Sequence, residues 1–341
     1  MSPPEPTPLP GEAPPRPLGV YVHFPWCLSK CPYCDFLSIP EASPPHTEYA
    51  NAVIAELRTR AKLLAAPQRV RSVFFGGGTP SLWEPRELLR VLRALEQRLP
   101  LAADCEVTVE CNPTSLTLER ATALREGGVG RLSIGVQSLR SDRLAFLGRL
   151  HDPEGARAAL RAAKQAGFRR LSADLIFGLP GQPSSEALQD AEELLGFGLD
   201  HLSAYSLTIE PGTRFGELAR QGRLPLAVED HVAEAFAALH ARLTALGLRH
   251  YEISNYALPG GEALHNLGYW RGQDNLGLGC GAWGTTTLAR GVLRYRNTPS
   301  PARYLAHFAR GEVPPEALLD ARPDGPVSDV EWLDGPTRLL E

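Results

Sequence analysis

The sequence contains no uninterrupted apolar run approaching the roughly 20 residues that a membrane-spanning helix needs. It also lacks an excess of basic residues: the formal net charge of its 341 residues is -4, which argues against a general nucleic-acid-binding protein. The first stretch, MSPPEPTPLPGEAPPRP, has neither the positive region nor the apolar region of a secretory signal. We therefore expect no membrane insertion, no nucleic-acid partner, and a disordered proline-rich tail over 1–17.

Cysteines are few, and they are unevenly placed. Three of the six fall within CLSKCPYC and the others are scattered. Such a distribution does not match the disulfide framework of a secreted protein, and it fits a protein of the reducing cytoplasm. Three thiols on one short segment indicate a site for a metal or an inorganic cofactor.

From Gly19 onward, short β-branched or aromatic runs alternate with longer helical patterns. Six strand–helix units of this kind predict an α/β fold with a parallel sheet, either doubly wound and open or an incomplete TIM-like barrel. In both architectures the chemistry lies at the carboxyl ends of the strands. The rhythm gives way to Gly-rich and aromatic-rich sequence near Leu248, which predicts a core domain over 18–247 and a smaller α+β region over 248–341.

The clustered cysteines, Cys27, Cys31 and Cys34, follow the first predicted strand with C-x3-C-x2-C spacing. Iron–sulfur clusters are usually held by four thiolates, so three would leave one iron of a cubane with an open position. A zinc site completed by His23 is compatible with the same spacing, and buried apolar cysteines are a third interpretation. The spacing alone leaves all three open.

The flanking residues add a resemblance. YVHFPWCLSKCPYC resembles the signature of the radical S-adenosylmethionine (SAM) superfamily, and it is similar to the HemN/HemW group of oxygen-independent coproporphyrinogen III oxidase-like proteins. The resemblance reaches from Gly19 to about Tyr304. It implies a radical SAM partial (β/α)6 barrel, a 4Fe-4S cluster on the three cysteines, and SAM on the open iron beside Tyr21 and Tyr33. A helix is expected to begin within WLDGPTRLLE, and the C-terminal region is expected to be truncated relative to this group.

Several polar or glycine-rich segments follow predicted strands. The glycines of GGGTPS permit close approach of a ligand to the backbone, although the segment lacks the GK[ST] ending of a phosphate loop. Without the resemblance, this segment would equally suit a tight turn, and the polar residues at the strand ends would ordinarily be turn or cap residues. The resemblance implies SAM contacts at Gly77, Gly78, Thr79, Glu110, Gln137, Arg149 and Asp174.

The segment HNLGYW, from His265 to Trp270, is similar to the HNxxYW heme-binding motif of the HemW branch. A neutral imidazole can ligate heme iron, and Tyr269 and Trp270 can pack against a flat macrocycle. An isolated histidine in an aromatic-lined loop would more often be hydrogen-bonded only. Cys280 is a rival thiolate ligand or a small residue between glycines.

Two departures separate this sequence from the oxidase branch: Phe36 stands where that branch has a fourth cysteine, and only a short segment precedes the cysteines. Together with HNLGYW they favour a heme chaperone that passes heme to recipient hemoproteins, membrane-associated ones among them, with cluster and SAM in support. The sequence does not identify an electron donor. The alternatives are an oxygen-independent coproporphyrinogen III oxidase and a zinc-stabilised interaction protein.

Overall fold

The computed structural model describes residues 15–65 and 68–333. Its strands are β1 (Arg16–Phe24), β2 (Trp26–Cys27), β3 (Ile39–Pro40), β4 (Gln68–Gly77), β5 (Leu101–Cys111), β6 (Arg131–Gln137), β7 (Arg170–Phe177), β8 (His201–Ser206), β9 (Arg249–His250), β10 (Asn255–Ala257), β11 (Asp274–Leu278), β12 (Trp283–Leu288), β13 (Gly291–Asn297) and β14 (Val327–Leu333). Its α-helices are α1 (His46–Ala61), α2 (Pro85–Arg98), α3 (Leu118–Glu126), α4 (Ser141–Phe146), α5 (Pro153–Gln165), α6 (Ser184–Gly196), α7 (Arg214–Arg220), α8 (Glu229–Ala245), α9 (Leu264–Trp270) and α10 (Pro301–Phe308).

The six predicted strand–helix units are confirmed. β1 and β4 to β8 are six strands, and along the chain at least one helix follows each of them before the next of the six begins. The first strand begins at Arg16 rather than Gly19, so the end of the predicted tail is extended backbone. Residues 1–14 of that tail lie outside the described part of the chain.

Backbone contacts divide the chain into two compact units. The first comprises residues 1–25, 43–108 and 263–341. Its strands follow the order β14-β13-β12-β11-β1-β4-β5. β1 pairs in parallel with both β4 and β11, whereas β11 to β14 form antiparallel neighbours. One side of β1 is fully buried through Leu18, Val20 and Val22, which places the strand at the centre of this unit.

The second unit comprises residues 26–42 and 109–262. Its main strands follow the order β6-β7-β8-β10-β9, with parallel pairing from β6 to β8 and antiparallel pairing beyond. β2 and β3 form a short parallel pair of their own. The predicted boundary between residues 247 and 248 falls inside this unit, and the division into a core domain and a C-terminal region stays a prediction.

The segment after Leu248 is more regular than its glycine content suggested. HNLGYW forms α9, and the glycine-rich run after it contributes β11 and β12. The prediction that a helix begins within WLDGPTRLLE is wrong for the first residues of this segment. Trp332 belongs to the last strand, β14, and pairs with Leu293 of β13. Pairing with β13 overrides the local helical pattern here. Residues 334–341 lie outside the described part of the chain.

Candidate functional site

The three clustered cysteines lie on one loop of the second unit. Cys27 ends β2, and its carbonyl accepts a hydrogen bond from Glu41 N at 2.9 Å, which fixes the start of the loop. Cys34 N donates to Cys31 O at 3.1 Å in a tight turn. Cys27 is buried, whereas Cys31 and Cys34 are half-buried, and none of them forms a disulfide.

The chemistry of these thiols suits an iron–sulfur cluster. Burial raises the pKa of Cys27, and the neighbouring charges of Cys34 and Cys31 raise it further; burial likewise raises the pKa of Cys34. Three thiolates would therefore repel one another on this loop, and cationic irons would relieve that repulsion. Each thiolate of a cubane binds a different iron, so the three need not converge on one point.

Arg149 joins this loop to the end of β6. Its Nη1 lies 3.5 Å from both Cys31 Sγ and Tyr33 Oη, and its Nη2 donates to Gly135 O at 2.8 Å. A Cβ on Gly135 would lie 3.0 Å from Gln137 Nε2 and 3.5 Å from Arg149 Nη2. Glycine at this position therefore leaves room for both side chains.

Gln137 has a strained backbone. Its φ is +69°, and among the described residues it is the one non-glycine residue with a positive φ. Such a conformation is costly for a residue with a Cβ and is concentrated at binding sites. The strained backbone therefore supports Gln137 as a candidate binding residue, in addition to its position at the end of β6.

Two carboxylates, Asp174 and Glu110, lie near Tyr205, and Asp174 is in the middle of β7 rather than at the strand end where the sequence suggested it. Ser133 Oγ donates to Asp174 Oδ1 at 3.3 Å. Burial raises the pKa of Asp174, and hydrogen bonds from Ser203 and Ser133 oppose this rise. Burial also raises the pKa of Tyr205, and the charges of Asp174 and Glu110 add to that rise. The second unit thus brings together Tyr33, Glu110, Gln137, Arg149 and Asp174 around the cysteine loop and the ends of its strands.

The GGGTPS segment belongs to the first unit, as does Tyr21. Gly77 has a φ of +113°, and a Cβ there would come within 2.6 Å of the His23 imidazole. Gly78 N donates to Phe24 O at 2.8 Å, and the buried Thr79 precedes a short 3-10 helix. Tyr21 Oη lies 2.9 Å from His23 Nδ1. His23 therefore packs over the glycine turn.

HNLGYW forms α9, which packs against β1 and β4 in the first unit. His265 is buried, with its ring stacked on Phe74 at a centroid distance of 5.0 Å and on Tyr21 at 6.3 Å. Its Nδ1 lies 3.0 Å from Ser72 Oγ. The ring of Tyr269 packs edge-on against the same imidazole, with the ring centroids 5.2 Å apart. The motif thus holds its histidine in an aromatic cage.

The other residues of this motif are more exposed. Tyr269 and Trp270 are 54% and 59% exposed, and Tyr269 Oη accepts a hydrogen bond from Asn275 Nδ2 at 2.7 Å. Cys280 is fully buried, its thiol donates to Thr298 O, and burial raises its pKa to about 12. These properties disfavour Cys280 as a thiolate ligand.

Several residues around these side chains have no motif of their own. Ser72 and Phe74 contact His265 from β4, and Ser133, Ser203 and Tyr205 surround Asp174. The sequence did contain one indication of these residues: each lies on a strand, two positions from another polar or aromatic residue that faces the same side. The spacing of residues along the chain does not predict which strands pair, and that pairing brings these side chains together.

Comparison with known proteins identifies the class. The model of the radical SAM superfamily matches residues 21–194, just over half of the chain. The solved structure of coproporphyrinogen III oxidase (HemN) from Escherichia coli, a radical SAM enzyme, superimposes with a TM-score of 0.74 at 24% identity, over 95% of this chain and 74% of that one. Fold and matched region define a radical SAM protein of the α/β class.

Two relatives identify the family within this superfamily. Heme chaperone HemW of Escherichia coli (strain K12) is 42% identical over 291 residues, which are 85% of this chain and 76% of the relative. Heme chaperone HemW of Haemophilus influenzae is 38% identical over 330 residues, or 95% of this chain and 83% of the relative. Within the radical SAM superfamily, the chain belongs to the HemW heme chaperone family.

Membership in the superfamily implies a 4Fe-4S cluster and SAM, which decides against the zinc interpretation of the cysteines. When bound, the cluster and SAM together supply one-electron chemistry. The individual SAM and heme contacts stay predictions. Among the described residues, no helix is long and apolar enough to cross a membrane.

Proposed function

We propose that this protein is a cytoplasmic heme chaperone that binds heme beside α9 and transfers it to recipient hemoproteins, some of them at membranes. The observation that carries the proposal is the kinship with HemW chaperones over most of the chain. HNLGYW, folded as α9 around His265, supplies a ligand and aromatic surface of the kind that heme needs.

The surroundings of His265 suit an axial ligand. A ligating histidine normally donates its other ring N–H to an oxygen, which fixes the tautomer and the ring orientation. Ser72 Oγ lies 3.0 Å from Nδ1 and can accept that hydrogen bond. Nε2 is then the nitrogen that binds iron. Because His265 is only 4% exposed, heme access requires α9 to move away from Phe74.

Radical chemistry has a supporting role in this proposal. The cysteine loop holds the cluster, and Arg149, which contacts Cys31 and Tyr33, places a positive charge where the carboxylate of SAM can pair with it. Glu110, next to last in β5, and Asp174, in the middle of β7 rather than at its end, would hold hydroxyl groups of the same ligand. The proposal needs no turnover of SAM, and its electron donor is unidentified.

A heme titration of anaerobically reconstituted protein tests the proposal. We expect stoichiometric binding with a distinct Soret band that is lost in His265→Ala, retained in the exposed control His231→Ala, and retained after all three cysteines are replaced by alanine. An unchanged affinity and Soret band in His265→Ala would remove this histidine as the ligand. Formation of protoporphyrinogen under reducing, anaerobic conditions would instead favour the alternative, an oxygen-independent coproporphyrinogen III oxidase.

A further inference from the structure

In the part of the chain that the structure describes, one face of β12 and β13 is partly exposed and the other is packed. Gly284, Thr286 and Leu288 are buried on β12, and Leu293, Tyr295 and Asn297 are buried on β13. Alternate residues on each strand point to the opposite face. That second face carries Trp283, Thr285, Arg294 and Arg296, which are half-buried or exposed.

The partly exposed face carries a group of three side chains, which we call the arginine–tryptophan patch: Trp283, Arg294 and Arg296. Trp283 is 45% exposed. The guanidinium carbons of Arg294 and Arg296 lie 5.3 and 5.4 Å from the centre of its indole ring. Arg296 pairs directly opposite Trp283 in the sheet, and its Nε is buried with no hydrogen-bond partner among the described residues. The patch therefore combines a flat apolar surface, two positive charges and an unused donor.

The patch lies on the same face of the sheet as the heme motif. Asn275 of β11 donates a hydrogen bond to Tyr269 of α9, so its side chain points toward α9. Thr285 is opposite Asn275, and Arg294 is opposite Thr285. Directly opposed residues share a face. One surface of the first unit thus runs from α9 across β11 and β12 to the two arginines.

We propose that the arginine–tryptophan patch is a second contact for the same heme: Trp283 packs against the macrocycle, and Arg294 and Arg296 bind its propionate carboxylates. This inference rests on the proposed function and extends it to how the cargo is oriented. An indole face suits a flat conjugated ring, and guanidinium groups bind carboxylates with paired, charge-assisted hydrogen bonds. Iron is ligated at one end of this surface, and the acidic edge of the porphyrin is held at the other.

Carboxylates of the protein compete for these arginines. Glu331 lies opposite Arg294 and Asp329 lies opposite Arg296 on β14. Both acidic residues are exposed, so solvent screens their attraction. They lower the affinity of the patch for propionates without abolishing it, which makes release of the cargo easier.

The test compares heme with heme dimethyl ester, in which both carboxylates are esterified, using the full-length protein with its cluster. In Arg294→Gln/Arg296→Gln we expect affinity for heme to fall about tenfold, as charge-assisted hydrogen bonds are lost, and affinity for the ester to change less than twofold. Asp329→Asn/Glu331→Gln should bind heme more tightly. Arg290→Gln is the matched control, because Arg290 stacks on Trp332 at 4.1 Å in another arginine–tryptophan pair.

The outcomes separate this inference from the proposed function. Heme binding that depends on His265 but is the same in wild type and Arg294→Gln/Arg296→Gln would overturn the patch and leave the chaperone intact. If Arg294→Gln/Arg296→Gln unfolds at the wild-type temperature but loses affinity for heme and for the ester equally, the arginines act by packing and carboxylate recognition is overturned. If wild-type protein binds neither compound, both proposals fall.

Discussion

Burial controls the charge of individual side chains in this protein. His151 Nε2 donates to Val136 O at 3.0 Å, and burial, followed by the charge of Arg149, lowers the pKa of His151 from 6.5 to about 4. The folded state thus favours the neutral imidazole, whereas the unfolded chain protonates it near its ordinary pKa. Between these two pKa values, the unfolded state binds more protons than the folded state.

This difference predicts a loss of stability in acid. As the pH falls from 6.5 to 4, the contribution of His151 to the free energy of unfolding should decline by about 3 kcal/mol, since one pKa unit corresponds to about 1.4 kcal/mol. Denaturant unfolding at a series of pH values measures the slope of the free energy of unfolding against pH. His151→Asn should flatten it, and the exposed control His231→Asn should not. Identical slopes in wild type and His151→Asn would contradict the assignment.

Gly77 shows a second constraint at the scale of one residue. Alanine at this position would combine a left-handed backbone with a clash against His23. Gly167 also has a positive φ, +86°, but nothing lies within 4 Å of its added Cβ. Gly167→Ala should therefore cost only the backbone strain, roughly 1–2 kcal/mol, and Gly77→Ala should cost at least about 1 kcal/mol more through overpacking.

Thermal unfolding of both alanine variants measures this difference. Replacing His23 with alanine in the Gly77→Ala protein should recover the part that is due to the clash. Equal destabilisation by Gly77→Ala and Gly167→Ala would show that His23 yields without cost.

At the scale of elements, α9 depends on residues far away in sequence. Its N-cap is Ala263, which offers no side-chain cap, and Glu106 Oε1 of β5 accepts from Leu264 N at 2.9 Å instead. A carboxylate at a helix N-terminus stabilises both the exposed N–H groups and the helix dipole. β5 thereby fixes the first turn of HNLGYW.

Removal of this carboxylate should loosen α9. Glu106→Ala is expected to cost about 0.5–2 kcal/mol locally, so amide hydrogen exchange in 264–270 should become several-fold faster. Heme association should also become faster if α9 must move to admit heme. Glu96→Ala, at an exposed position on α2, is the control. Unchanged exchange in α9 would show that Ser72 and the aromatic contacts are enough to hold it.

At the scale of the whole molecule, one buried carboxylate joins distant parts of the chain. Glu56 Oε1 accepts from Arg60 Nε and Asn297 Nδ2, each at 2.7 Å. Its Oε2 accepts from Gly279 N at 2.8 Å and from Tyr304 Oη at 2.7 Å. α1 is thereby connected to β13, α10 and the segment after β11.

Loss of this charge should weaken the first unit broadly. Glu56→Gln leaves Arg60 buried without its counter-ion and should lower the free energy of unfolding by about 3–5 kcal/mol. Glu193→Gln breaks the exposed pair with Arg157 and should cost less than about 1 kcal/mol. Urea titration compares the two variants. A cost below 1 kcal/mol for Glu56→Gln would mean that the network is dispensable.

The sequence alone determined the alternation of strands and helices, because side-chain periodicity and β-branched runs are local properties. It also determined the clustering of the three cysteines and the HNLGYW segment, whose residues are close neighbours in the chain. Radical SAM membership could be inferred from these segments, and the comparisons confirmed it.

Tertiary structure decided which contacts form between segments that are distant in sequence. The cage of Phe74, Tyr21 and Ser72 around His265, the carboxylate that caps α9, and the face shared by Trp283 with α9 all depend on which strands pair and in which register. Strand pairing joins residues more than two hundred and fifty positions apart, as for Leu18 and Asp274, and its energy comes from burial and hydrogen bonds that no local window of sequence contains.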